Sequence, residues 1–335
     1  MSPSRRNRQL DEDDVRVRPG RGSRPRSLQR PKHTDAEDAV VFAVDRGRYT
    51  CRTQDPDTAR EVVAVKAREL GRKGVVVGDR VSVVGDTTGG PNALARIVRV
   101  APRTSVLRRT ADDSDPVERI IVANADQLCI VTAVADPEPR TRLIDRCLVA
   151  AYDAGLEPLL LLTKIDLAAP EPLLELYAPL GVRSLAIARG GDLTELRGVL
   201  ADQVTVLVGH SGVGKSTMVN ALVPGTGRAV GGVNAVTGRG RHTSSSAIAL
   251  ELPDGGWVID TPGLRSFGLA HVSLVNVLRS FEDLAAVTNE CPRGCTHLEG
   301  APECALDIAV ADGRVGAGRV HSLRRLLASR GGDDD

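Results

Sequence analysis

The sequence predicts three successive structural units: a small β-barrel, an α/β domain organised around a phosphate-binding loop, and a helical segment carrying a cysteine/histidine cluster. Three observations predict this arrangement. Short β-rich runs separated by Gly/Asp turns occupy residues 37–110. Gly209-His210-Ser211-Gly212-Val213-Gly214-Lys215-Ser216 fits G-x-x-x-x-G-K-[ST] between an apolar strand and a helix opening. Cys291, Cys295, His297 and Cys304 fall within fourteen residues.

The chain has 335 residues, 41% of them hydrophobic and 26% charged, which is ordinary for folded domains and long enough for two or three of them. Aromatic residues make up only 2%, which argues against base-stacking platforms. Net charge is +1 but unevenly spread: residues 1–34 hold ten Arg/Lys against four acids. Residues 1–36 are therefore expected to be a disordered basic tail, either merely solvated or drawn to RNA phosphates, and residues 329–335 an acidic tail. No apolar stretch is long enough to span a bilayer, and the N-terminus has no apolar signal region. Cys51, Cys129 and Cys147 are scattered while the other three cluster, unlike an extracellular disulfide framework. The expectation is a cytoplasmic monomer without membrane contact.

In the first unit the β-rich runs are 39–44, 49–53, 61–66, 80–84 and 95–100. Five strands at that spacing suit a barrel of the OB type. Such runs do not reveal a ligand, so a purely structural role stays open.

From 111 to 270 apolar runs alternate with helical ones. Residues 120–123 with 127–133, 158–163 and 204–208 read as strands; 142–154, 170–180 and 216–222 read as helices. Residues 247–252 and 257–260 flank Pro253-Asp254-Gly255-Gly256 as a hairpin. That alternation predicts a largely parallel sheet. Residues 271–328 read as helical, over 274–287 and 319–328, around the Cys/His cluster.

The glycines of the 209–216 segment let backbone N–H groups converge on phosphate oxygens at a helix N-terminus. Lys215 is placed to bridge the β- and γ-phosphates, and the Ser216 hydroxyl, followed by Thr217, to ligate Mg²⁺. Asp260 ends a later strand, where a carboxylate can hold Mg²⁺, and Gly263 completes D-x-x-G with a backbone N–H for the γ-phosphate. Between them a Gly-rich run, 225–240, leads to Arg241-His242-Thr243. Thr243 is the candidate that joins Mg²⁺ when γ-phosphate is present; a featureless loop is the alternative. Leu264 stands where a glutamine would position the attacking water, which leaves His242 as the nearest able group and predicts slow intrinsic hydrolysis.

Thr163-Lys164-Ile165-Asp166 resembles the [NT]-K-x-D motif that reads guanine. Asp166 would accept from guanine N1 and N2, and Lys164 would lie along the base. A plain turn after a strand is the alternative. Thr163 replaces the usual asparagine, and its hydroxyl can make only part of the amide's bonds, so some weakening of guanine affinity is expected. A second base-contacting motif has no clean match; Ile187-Ala188 are the best placed residues. The order is unusual: base motif, phosphate loop, switch segment, D-x-x-G. The only five lysines are 32, 66, 73, 164 and 215, so no N-K-x-D can come after the phosphate loop. The chain is either a circularly permuted GTPase or a P-loop protein, such as an ATPase, that does not read guanine.

Three thiols and one imidazole at close spacing suit tetrahedral Zn²⁺ in a closed, structural site. Unligated cysteines or a disulfide are the alternatives.

These motifs together resemble the ribosome small-subunit-dependent GTPase A family (RsgA, also called YjeQ), over residues 37–328. The carriers are Gly78-Asp79-Arg80-Val81, Thr163 to Asp166, the 209–217 loop, Gly240 to Thr243, Asp260 to Gly263, and the four Cys/His positions. The resemblance implies an N-terminal OB-type β-barrel (37–110), a circularly permuted α/β P-loop GTPase domain (111–270) and a C-terminal helical zinc-binding domain (271–328). It also implies GTP hydrolysis stimulated by the 30S subunit during its late maturation, with barrel and zinc domain on 16S rRNA, and His242 as water-positioning residue. An RNA-bound assembly factor that binds nucleotide without turnover is the competing reading.

Overall fold

The computed structural model describes residues 33–55, 58–71, 74–110, 118–225, 247–261, 268–269 and 271–329, and the compact unit they form starts at Asp35. The barrel strands are β1 (Glu37–Asp45), β2 (Arg48–Thr53), β3 (Glu61–Lys66), β4 (Arg80–Gly85) and β5 (Ala95–Val100). They run in the order β1-β2-β3-β5-β4, and a β1–β4 pairing closes the ring. Only β3–β5 is parallel. Strands β2 and β3 begin with the strict in-and-out alternation of a period-two pattern, while the later barrel strands bury some adjacent residues as well. Ala39, Val41, Cys51, Val62, Ala64, Val81, Val83, Ala95 and Ile97 fill the interior. Bulges in β1 after Val41 and in the β4–β5 pair supply the bend that closure needs.

Gly78-Asp79 clamps the barrel to Ala123 and Asn124, at the entrance to the α/β domain. A Cβ at Gly78 would stand 1.9 Å from Ala123 O, so only glycine fits there. Asn124 Nδ2 donates to Gly78 O at 2.8 Å, and Thr104 N donates to Asn124 Oδ1 at 2.8 Å. Buried Asp79 accepts from Arg103 Nε at 2.7 Å and Nη2 at 2.8 Å, and from Val76 N at 2.8 Å.

The α/β sheet runs β10 (Arg183–Ile187), β9 (Glu157–Thr163), β8 (Gln127–Ala133), β11 (Val204–Val208), β13 (Trp257–Asp260), β12 (Ile248–Glu251). All its pairings are parallel except β12–β13. Every residue of β8 is buried, because helices cover both faces. On one face Leu128, Ile130, Leu160 and Leu162 meet α1 (Thr141–Ala154) through Ile144, Leu148 and Ala151. On the other, Cys129, Val131, Leu159 and Leu161 meet α3 (Thr194–Leu200) and α4 (Lys215–Leu222). β12 also pairs with β1 at Ala43↔Ile248, so the two sheets are continuous. Arg52 of β2 pairs with Glu251 and lies over the Trp257 ring, its guanidinium carbon 5.9 Å from the centroid.

Several elements differ from expectation, the helix Thr194–Leu200 among them. Residues 106–109 form β6 (Val106–Arg109), a hairpin partner of β7 (Arg119–Ala123) that its Arg-rich sequence concealed. The expected helix 170–180 ends at Tyr177 as α2 (Glu171–Tyr177), with a 3-10 turn over Ala178–Leu180. The expected helix 274–287 is two helices, α5 (Leu274–Arg279) and α6 (Glu282–Thr288). The break falls at Phe281, which leaves helical geometry to bury its ring edge-on against Tyr152, with centroids 5.0 Å apart. α7 (Ala305–Ala311) and α8 (Ala317–Ala328) follow. Among the described residues no helix is long and apolar enough to cross a membrane.

Candidate nucleotide site and metal centre

The C-terminal ends of β8, β9, β10 and β11 lie side by side, with Ala133 beside Thr163, Thr163 beside Ile187, and Val208 beside Ile130. Open parallel sheets bind ligands at that edge. After β11 the chain bends through Gly209, where a Cβ would stand 2.3 Å from Val131 O. A side chain there would push the loop off the sheet. His210 and Ser211 are local to the loop, with His210 Nδ1 2.9 Å from Ser211 O. Gly214, at φ +91°, is the N-cap of α4, which opens with Lys215, Ser216 and Thr217. Backbone N–H groups without intrahelical partners gather at such a start.

Lys215 Nζ lies 3.5 Å from Asp260 Oδ1 and 3.5 Å from Gly209 O. The two charged side chains are thus held together, nearly buried, where β11 and β13 run parallel with Leu207 beside Asp260. Thr261, just past β13, donates its hydroxyl to Leu207 O at 2.8 Å. Gly263, His242 and Thr243 lie outside the described residues.

The base motif lies directly against the phosphate loop. Thr163 Oγ1 is 2.6 Å from Val213 O and 3.2 Å from Thr132 O. A hydroxyl has one proton, and the shorter contact takes it. Lys164, at φ +60°, donates Nζ to Asp136 O and stands 4.0 Å from Asp136 Oδ2. Asp166 Oδ1 accepts from Arg189 N at 2.9 Å. That N–H holds the Asp166 carboxyl below its ordinary range, with Arg189 and Lys164 adding smaller favourable charges. An ionised acceptor is what a guanine edge requires. The β10–α3 turn, closed by Gly191 N donating to Ala188 O at 3.0 Å, therefore borders the base motif. Ile187 and Ala188 sit at that edge.

The ligand atoms of Cys291, Cys295, His297 and Cys304 all lie within 4.8 Å of one another. Tetrahedral thiolate ligation at about 2.3 Å from a metal places sulfurs about 3.8 Å apart, so the donor set fits and can hold a metal ion. Ala305 N donates to Cys291 Sγ at 3.3 Å, and Arg324 Nη2 approaches Cys304 Sγ at 3.8 Å. Arg324 Nε also donates to His297 O at 3.1 Å while the guanidinium pairs with Asp307 at 2.7 Å. Burial, helped by Arg324, lowers the His297 pKa, which favours the neutral imidazole that a metal needs.

Residues 100–270 match the RsgA GTPase family model. The small ribosomal subunit biogenesis GTPase RsgA of Ectopseudomonas mendocina is 43% identical over 247 residues, 71% of each chain. The chain belongs to the RsgA GTPase family. Two solved structures are similar in fold. YjeQ from Thermotoga maritima gives a TM-score of 0.63 at 25% identity, covering 88% of this chain and 98% of that one. YloQ, described as a circularly permuted GTPase, gives 0.64 at 21% identity over 90% and 97%. The inverted motif order of this RsgA-family chain is therefore the order of a circularly permuted GTPase.

Sequence reasoning missed Asp136, Arg189 and Arg324. Asp136 and Arg189 make their shortest contacts through main-chain atoms, which no residue type betrays. Arg324 is one of 39 arginines, distant in sequence from the cluster it supports. Its place on α8 has no local mark.

Proposed function

We propose that this chain is a GTP hydrolase of late small-subunit maturation, in which the 30S particle stimulates hydrolysis and hydrolysis releases the protein. The observation that carries this reading is the direct seating of the base motif on the phosphate loop, with Thr163 Oγ1 2.6 Å from Val213 O. Guanine recognition and phosphate binding then share one rigid edge. In this reading the main-chain N–H groups from Gly209 to Thr217 cradle the phosphates, and Lys215 bridges β and γ. Ser216, Asp260 and Thr243 hold Mg²⁺, and Gly263 meets the γ-phosphate. Asp166 reads guanine, Lys164 covers it, and His242 positions water.

The metal is Zn²⁺: three thiols and one imidazole are soft donors that leave no open position, so the site is structural. The barrel and zinc domain (37–110 and 271–328) meet 16S rRNA, and the GTPase domain (111–270) lies between them in the chain. The protein works as a cytoplasmic monomer.

GTP turnover measured with and without 30S subunits, mature and immature, tests this. Stimulation by roughly tenfold or more is expected from a partner that completes the site. Unchanged turnover with either particle leaves a nucleotide-binding assembly factor instead. Equal affinity for ATP and GTP would remove guanine recognition.

A further inference from the structure

The loop between β8 and α1 touches both nucleotide motifs. Val134 N donates to Thr163 O at 3.0 Å, Lys164 Nζ donates to Asp136 O, and a Cβ at Gly212 would stand 3.6 Å from Pro137 Cδ. The loop leads directly into α1, whose first turn is closed by Ile144 N donating to Arg140 O at 3.1 Å. A 14-residue helix is a rigid rod of about 21 Å. A shift at its start is therefore delivered along its length.

The C-terminal helices grip that rod. Asp145 Oδ2 accepts from Arg325 Nε of α8 at 2.9 Å. The Arg325 guanidinium carbon lies 4.9 Å from the Tyr177 ring centroid, and the Tyr177 hydroxyl donates to Thr141 O at 3.1 Å. Buried Arg146 donates to Ser329 O at 2.7 Å. Asp153 Oδ1 accepts from Asn276 Nδ2 at 2.9 Å and from Ser273 N at 3.2 Å. The adjacent residue of α8, Arg324, faces the other way onto His297 and Cys304. Two successive arginines thus hold α1 and the metal centre. A buried ion pair adds little net stability over apolar packing, whereas removing one partner alone strands the other charge.

We propose that Asp145 and Arg325 are positioning residues of the nucleotide site. By seating α1 on α8 they set the 134–140 loop, which holds Lys164 and abuts the phosphate loop. Binding free energies are reciprocal, so nucleotide in the pocket is felt at α8. The inference rests on the guanine-nucleotide reading of the pocket.

The test uses the full-length, metal-loaded protein. Hydrogen exchange is measured with GDP and with a non-hydrolysable GTP analogue, and affinity with fluorescent GDP. Wild type is compared with the paired variant Asp145→Leu/Arg325→Met, which leaves no unpaired buried charge, and with the conservative Arg325→Lys. In the wild type, nucleotide is expected to change protection across residues 317–329. The paired variant is expected to keep its metal content and cooperative melting, lose that change, and bind GDP about fivefold or more weakly. Arg325→Lys should fall between the two. No nucleotide-dependent change at 317–329 in wild type overturns the proposal, whatever the variant's fold. Unchanged affinity in a folded paired variant also overturns it. Failure of wild type to bind any guanine nucleotide sinks the pocket reading instead.

Discussion

Thr163 Oγ1 stands 2.6 Å from Val213 O, which joins the residue that opens the base motif to the middle of the phosphate loop. Threonine at this position ties the two halves of the pocket together. The side chain is committed to the loop, whatever bonds an asparagine amide would add. Thr163→Val keeps the shape and removes the bond. A net hydrogen bond contributes about 1 kcal/mol, so GDP affinity should fall about fivefold while Thr163→Ser stays near wild type. Titration with fluorescent GDP checks it, and an unchanged Kd for Thr163→Val would remove the tie.

Asp166→Asn should turn the preference from guanosine toward xanthosine nucleotides, because the carboxylate acceptor becomes a donor facing a carbonyl. Competition between GDP and XDP reads this directly. The pH dependence has a defined sign. The folded pKa of Asp166 is depressed, first by the Arg189 N–H. Its contribution is therefore present at and above the ordinary carboxylate range and is lost only as pH falls through the depressed value. Guanine-nucleotide affinity should lose nothing to Asp166 between about pH 8 and pH 5. An acid limb assigned to Asp166 at about pH 5 or higher would contradict the Arg189 contact.

Asp79 is fully buried and held by both arms of Arg103. Asp79→Ala leaves the Arg103 guanidinium without its counter-charge and Val76 N without its acceptor, and should cost about 3 kcal/mol. Gly78→Ala must push its Cβ away from Ala123 O, and a cost of about 2–3 kcal/mol is expected. Thermal melting of both variants, with retained GDP binding at low temperature, distinguishes a clamp from a ligand site.

Arg324 braces the metal centre from outside the ligand set. Arg324→Ala should weaken metal affinity by about 10- to 100-fold without emptying the site at saturating Zn²⁺. Cys304→Ala should remove a ligand and lower the bound metal below one equivalent after dialysis. Elemental analysis of both proteins separates the roles.

Much of the architecture was legible in the sequence. Period-two runs of Val and Ala announced the five barrel strands, and the apolar runs of β9 and β11 announced a buried parallel sheet. Phe281 was not legible as a helix break, because an apolar residue at helical spacing also reads as a continuing stripe. The hairpin strand β6 hid behind Val-Leu-Arg-Arg, half of it charged and therefore unlike a core strand.

Where chemistry depends on neighbours in the chain, residue order alone pointed to it: the phosphate loop, the inverted order of base motif and loop, and a Cys/His cluster whose donor atoms the fold gathers within 4.8 Å. Backbone curvature and ligand spacing in such motifs are set within a few residues, so composition betrays them. The clasps between motifs belong to the folded chain. Thr163 and Val213 are 50 positions apart, Asp166 and Arg189 are 23, and Asp145 and Arg325 are 180. A hydroxyl, a main-chain N–H or a guanidinium can serve any partner that packing brings within about 3 Å. Only the sheet register and the seating of α1 on α8 choose which partner that is.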